Sequence, residues 1–173
     1  DFDLPRLWDT WLTLRHWSAN WARPLYDDIA KRKLLKPEVV FEVEGSLGLT
    51  AERVYAAGVA RGEWFRALGK LFDEYDFLAL PTAQVFPFSK EVHWPSRIND
   101  RTMDTYHRWM EVVIGGTLAG LPIVNVPVGF DARGRPMGMQ LIGPFGADQR
   151  VLEMGLAYEQ ITSFLEQRPV ELR

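Results

Sequence analysis

The side chains able to do chemistry are few. A serine hydrolase needs a nucleophile with a base in reach and donors for the oxyanion. The serines are Ser18, Ser46, Ser89, Ser96 and Ser163. Only Gly45-Ser46-Leu47-Gly48 resembles a nucleophile setting, and Glu44 stands where a Gly-x-Ser-x-Gly elbow needs its first glycine. The motif reads as a loop serine after a helix stop. Asp100, Asp104 and His107 fall at helical spacing, with His93 upstream, and three such groups converging would bind a divalent ion. The plainer reading is an Asp-rich helix start with an interfacial His. With no His-Glu-x-x-His signature and no tight ligand pair, no metal site is assigned. Cysteine is absent, which excludes disulfides, thiolate metal sites and a Cys nucleophile. Nothing resembles a phosphate cradle, and no cofactor is implied. Taken alone, these residues do not specify a reaction.

The elements that must position them belong to a folded chain. Hydrophobic residues make up 47% and charged residues 25%, the balance of a globular protein rather than a disordered one. A formal net charge of -3 gives no electrostatic case for nucleic acid. The short run Lys31-Arg32-Lys33 reads as a solvated helix end. Val112 to Phe130 is apolar but interrupted by Gly115, Gly116, Gly120, Pro122, Pro127 and Gly129, too many breakers for a membrane span. The expectation is a soluble, cytoplasmic chain without membrane contact. Asp1 in place of Met suggests a cut, a processed end or a designed boundary.

The periodicities predict a helix from Pro5 to Ala22, capped by Asp3 and ended or kinked by Pro24, with Leu7, Trp11, Leu14, Ser18 and Trp21 on one stripe. A short helix from Asp28 to Leu34 follows, then one after Pro37 stopping near Gly45. Thr50 starts a longer helix whose Gly58, Gly62 and Gly69 suggest close approach of another backbone. Phe77–Leu80 reads as a strand covered on both faces, followed by an irregular stretch from Thr82 to Asn99. A helix is expected from Asp100 or Thr102 to Thr117. Strands at 123–130 and 137–142 are joined by the turn Asp131–Gly134, and Gln140 inside the second needs a buried partner. A last helix runs from Ala147 to Glu166 with Val151, Met154, Tyr158, Ile161 and Leu165 buried. Three strands rarely complete a sheet covered on both faces, so the expectation is that part of the fold is missing.

From Ala119-Gly120-Leu121-Pro122-Ile123 through Val126-Pro127-Val128-Gly129-Phe130 to Gly134-Arg135-Pro136-Met137-Gly138-Met139-Gln140-Leu141-Ile142-Gly143, the chain resembles the C-terminal signature region of the amidase-signature family. Tyr75 to Thr82 resembles the strand before that family's variable substrate loop, and Leu156 to Gln160 its terminal helix. The fold implied is α/β, the C-terminal part of the amidase-signature fold, a mixed β-sheet flanked by helices on both faces. Residues 1–173 would be part of one amidase domain, with 1–75 mainly helical and 76–173 carrying the strands, the substrate-side loop and the terminal helix.

The resemblance implies hydrolysis of a carboxamide through an acyl-enzyme, using a Ser, a second Ser on a cis peptide and a Lys. All of these lie upstream of the matched region, so no catalytic residue is assigned here and the isolated chain is expected to be inactive. What this part would contribute is a wall of the acyl pocket. Thr82, Gln84, Val85 and Phe86 lie nearest the strand end, and Trp109 lies on the next helix. For each, packing is the competing account. Thr117 stands where the family commonly has Asn, and no basic stretch like that of tRNA-dependent amidotransferase members is found, which favours a general small-amide hydrolase. The expected partners are a small-molecule amide and the missing N-terminal half, with self-association of the isolated piece through open sheet edges. The alternative is a non-catalytic truncated homologue acting as an interaction module through its exposed apolar seam.

Overall fold

Asp3 opens the first helix. Its carboxylate accepts the Arg6 N–H at 3.2 Å, and Pro5 occupies the first turn, where a missing N–H costs nothing. The computed structural model describes residues 2–167, and the chain divides into two compact units, Asp1–Ala67 and Leu68–Arg173.

The first unit is helical. Helix α1 (Leu4–Ser18) stops short of the expected Ala22 and passes through a 3₁₀ turn, Ala19–Ala22, into α2 (Arg23–Asp27). The tighter turn changes the rotation per residue beyond Ser18, so Trp21 leaves the predicted stripe and is exposed. Within α1 Ser18 is exposed as well, and Leu7, Trp8, Thr10 and Thr13 are the buried residues. Pro24 begins a helix instead of ending one. Helix α3 (Ile29–Arg32) is shorter than expected and is capped by Asp28, which accepts the Ala30 and Lys31 N–H groups. Helix α4 (Pro37–Leu47) runs through Gly45 and ends at Gly48. Gly45 is needed inside the helix because the His16 ring of α1 lies where a Cβ would stand, 2.5 Å away. Buried Glu42 holds α4 to α1. It accepts from Arg15 Nε at 2.9 Å and lies 2.8 Å from His16 Nδ1, the pairing a buried carboxylate requires.

Helix α5 (Ala51–Phe72) starts where Thr50 Oγ1 accepts the Arg53 N–H, and its last residues belong to the second unit. Ala57, Ala60 and Leu68 are buried along it. Its glycines do not mark a close backbone approach among the described residues. A Cβ at Gly58 or Gly69 meets nothing within 4 Å, and one at Gly62 meets only the Arg66 guanidinium.

In the second unit β1 (Leu78–Pro81) leads through the long irregular loop to β2 (Arg97–Ile98) and β3 (Arg101–Thr102). The expected helix from residue 100 is replaced by this small hairpin. Asn99 takes the left-handed turn conformation at φ 50°, Met103 N–H bonds back to Ser96 O, and the Met103 side chain is buried. Helical structure begins only with the 3₁₀ helix Arg108–Val113 and α6 (Ile114–Ala119). Gly120, at φ 69°, then reverses the chain into β4 (Ile123–Phe130), as the sequence predicts. The turn at Asp131–Gly134, with Gly134 at φ 75°, leads to β5 (Pro136–Ile142). Helix α7 (Asp148–Ile161) ends earlier than expected, at extended Thr162. Val151 is buried on it, but Ile161 is exposed, and the Leu165 side chain lies outside the described residues.

The sheet order is β1-β5-β4, antiparallel at both pairings, so the parallel pairs of a mixed sheet are not among the described residues. Neighbouring side chains on a strand point to opposite faces. Val124 meets Gly155 of α7, while Ile123 meets Gly116 of α6, so the two helices cover opposite faces. Leu141 and Ile142 are buried beneath them. The edge strand β1 is less covered than expected, with Ala79 and Pro81 exposed.

Candidate functional site

Leu78, Leu80 and Thr82 continue along one side of β1, and the register aligns them with Ile142, Gln140 and Gly138 on β5 and with Ile123 and Asn125 on β4. This is the face that α6 covers at its Ile123 end, leaving Thr82 and Asn125 beyond the helix. Thr82 is fixed by its N–H to Gly138 O at 2.9 Å, and its hydroxyl donates to Asn125 Oδ1 at 3.2 Å. Gly138 permits this arrangement. A Cβ there would stand 2.7 Å from Thr82 Oγ1.

The loop after Pro81 is tethered rather than loose. Gln84 Oε1 accepts the Val112 N–H at 3.0 Å. Farther along, Arg135 Nη1 donates to Pro87 O at 2.9 Å, and its guanidinium lies over the Phe86 ring, 5.6 Å from the centroid. Arg135 is itself held by Asp131, whose carboxylate also accepts the Arg133 and Arg135 N–H groups. The hydrogen bonds from Arg135 hold the Asp131 carboxyl below the usual carboxylate range. Trp109 lies on the 3₁₀ helix with its ring edge-on to Phe88 at 5.4 Å. Its buried indole N–H has no hydrogen-bond partner among the described residues. Val85 is half-buried in the loop.

Gln140 is 2% exposed, and its Nε2 donates to Pro81 O at 2.9 Å and to Val112 O at 3.2 Å. The buried partner that its sequence position demanded is thus a pair of backbone carbonyls. Thr82, Gln84, Val85, Phe86 and Trp109 therefore all belong to one unit, around the end of β1, the loop and the 3₁₀ helix. Sequence reasoning missed Asn125 and Arg135. The signal for Asn125 was an amide at alternate spacing from Ile123 in an apolar strand.

The other candidates do not assemble. Asp104 takes both arms of the Arg108 guanidinium, at 2.8 and 2.9 Å, and those hydrogen bonds lower its pKa. Asp100 is exposed and pairs with Arg97, and among the described residues no group of His, Asp and Glu is arranged to hold a metal ion. Ser46 lies in the last turn of α4 rather than in a loop, and its hydroxyl donates to Val43 O at 2.6 Å. Thr117 bonds back to Val113 O. No helix among the described residues is long and apolar enough to cross a membrane.

Comparison with known proteins agrees with this architecture. A glutamyl-tRNA(Gln) amidotransferase subunit of Thermus thermophilus is 33% identical over 141 residues, covering 78% of this chain and 28% of that protein. The corresponding protein of Symbiobacterium thermophilum is 38% identical over 106 residues, 60% of this chain and 20% of the relative. The chain thus spans about a fifth to just over a quarter of the length of these curated relatives. A bacterial aryl acylamidase of the amidase-signature enzymes shares the fold at TM-score 0.81 and 20% identity, over 98% of this chain and 37% of that one. The amidase family model matches residues 12–152, and the chain belongs to that family.

Proposed function

We propose that this chain is the part of a carboxamide hydrolase that walls the acyl side of the active site. A Ser/cis-Ser/Lys machinery would be supplied by an upstream portion of the fold. One observation carries the reading. Thr82, Phe86 and Trp109 are gathered on a tethered loop and 3₁₀ helix at the end of a sheet strand, the place where open α/β sheets bind ligands. The hydroxyl of Ser46 is spent on a backbone carbonyl, which is consistent with a nucleophile that comes from elsewhere. The substrate is a small-molecule amide, and the remainder of the fold is the partner. Exposed Trp17, Trp21 and Tyr55, together with the open glycine face of α5, support a chain that meets further structure.

The test is acyl selectivity in the enzyme completed by the rest of its fold. Trp109→Ala and Phe86→Ala should change kcat/KM for bulky-acyl amides by about tenfold or more, while amides differing only in the amine respond alike. Equal effects on both series would place these residues outside the acyl pocket.

A further inference from the structure

Val112 is held at both of its backbone polar groups by glutamine side chains from different elements. Its N–H is taken by Gln84 of the substrate-side loop, and its C=O by Gln140 of β5. The same Gln140 amide nitrogen also binds Pro81 O, the last residue of β1, at 2.9 Å. A single connected set of hydrogen bonds therefore ties the end of β1, the loop and the 3₁₀ helix that bears Trp109 to the buried centre of the sheet. The 3₁₀ helix is a poor source of its own rigidity, because its internal hydrogen bonds are badly aligned and its runs are short. The glutamines supply what the helix lacks.

We infer that Gln84 and Gln140 are a pair of positioning residues. They clamp Val112 and so set where Trp109 stands relative to Thr82 and Phe86. Gln84 then acts through the wall and does not touch substrate. This rests on the reading of that wall as part of the acyl pocket. The two glutamines use opposite ends of the amide, and the chemistry follows from that. Gln84 only accepts, so a carboxylate in its place still serves the Val112 N–H. Gln140 only donates, so a carboxylate there would set oxygen against two carbonyl oxygens in a site that is 2% exposed.

The test is amide hydrogen exchange at Val112 in this chain, together with steady-state kinetics in the enzyme completed by the rest of its fold. Gln84→Leu should speed Val112 exchange by about two- to tenfold, the loss of one hydrogen bond, and Gln84→Glu should restore it. In kinetics, Gln84→Leu should raise KM for bulky-acyl amides and leave kcat within about twofold, with Gln84→Glu again near the parent. Gln140→Glu should loosen residues 108–113. Gln140→Met, which lacks the donors but carries no charge, gives the same readout if the acid variant does not fold. Unchanged Val112 exchange in Gln84→Leu, or loss of substrate binding in Gln84→Glu with exchange intact, overturns the clamp. Faster exchange with KM unaltered across the acyl series supports the clamp and overturns the reading of the wall on which its purpose rests.

Discussion

Gly45 sets two ordinary effects against each other, and the structure decides between them. Alanine for glycine inside a helix normally stabilises by about 1 kcal/mol. At residue 45 the new Cβ would stand 2.5–2.6 Å from three atoms of the His16 ring. A ring cannot yield by bending, so it must swing away from Glu42, which it meets at 2.8 Å with both side chains largely buried. Forcing a packed side chain aside costs about 1–3 kcal/mol. A lost hydrogen bond to a charged group costs about 1.5–3 kcal/mol. After subtracting the helix gain, Gly45→Ala should destabilise by about 1.5–5 kcal/mol. In a His16→Ala background the obstruction is gone, and the same change should stabilise by about 0.5–1 kcal/mol. Urea denaturation followed by tryptophan fluorescence, run as a double-mutant cycle, measures both values. The reasoning is refuted if Gly45→Ala stabilises the parent chain, or shifts both backgrounds equally.

Other outcomes follow from the second unit and from the open edges. Thr105 Oγ1 is buried without a hydrogen-bond partner among the described residues, so Thr105→Val should raise stability by about 1 kcal/mol in the same denaturation assay, and a loss would show an acceptor in reach. The Asp131 carboxyl titrates below its unfolded value, so its contribution is complete above about pH 4 and fades as pH falls through the lower folded pKa. Asp131→Asn should therefore lower stability at neutral pH and flatten its decline under acid, and parallel pH profiles for the two proteins would contradict this. The isolated chain should self-associate to cover the free edges of β1 and β4, which sedimentation at rising concentration detects; a monomer throughout would count against open edges.

The sequence was most legible where backbone requirements are local. Asp3 before Pro5, the Gly120-Leu121-Pro122 reversal and the Asp131–Gly134 turn each need a particular residue at a particular φ or cap, and each lies where its residues predict. The segment from 100 to 117 was misread because its apolar spacing suits a helix. Burial of Met103 and the tight hairpin pairing Arg97 with Thr102 and Ile98 with Arg101, turned at left-handed Asn99, override that spacing. The expectation that Gly58 and Gly69 mark a close backbone approach fails, because nothing in the described chain lies within 4 Å of a Cβ at either. At the site, residue types pointed to the loop and to Trp109. The direction of the Gln84 amide, the Thr82–Asn125 contact and the reach of Arg135 to Pro87 are tertiary facts with no local pattern.

Whether this piece contributes a pocket without a nucleophile is tested most directly with a serine-directed fluorophosphonate probe. Labelling and amide hydrolysis are followed in the chain alone and in the protein restored to the full amidase fold. The account predicts no labelling and no hydrolysis for the chain alone, and both for the restored enzyme, with the label on a serine outside these residues. Stoichiometric labelling of Ser46 or any other serine of the isolated chain, accompanied by turnover, would contradict it.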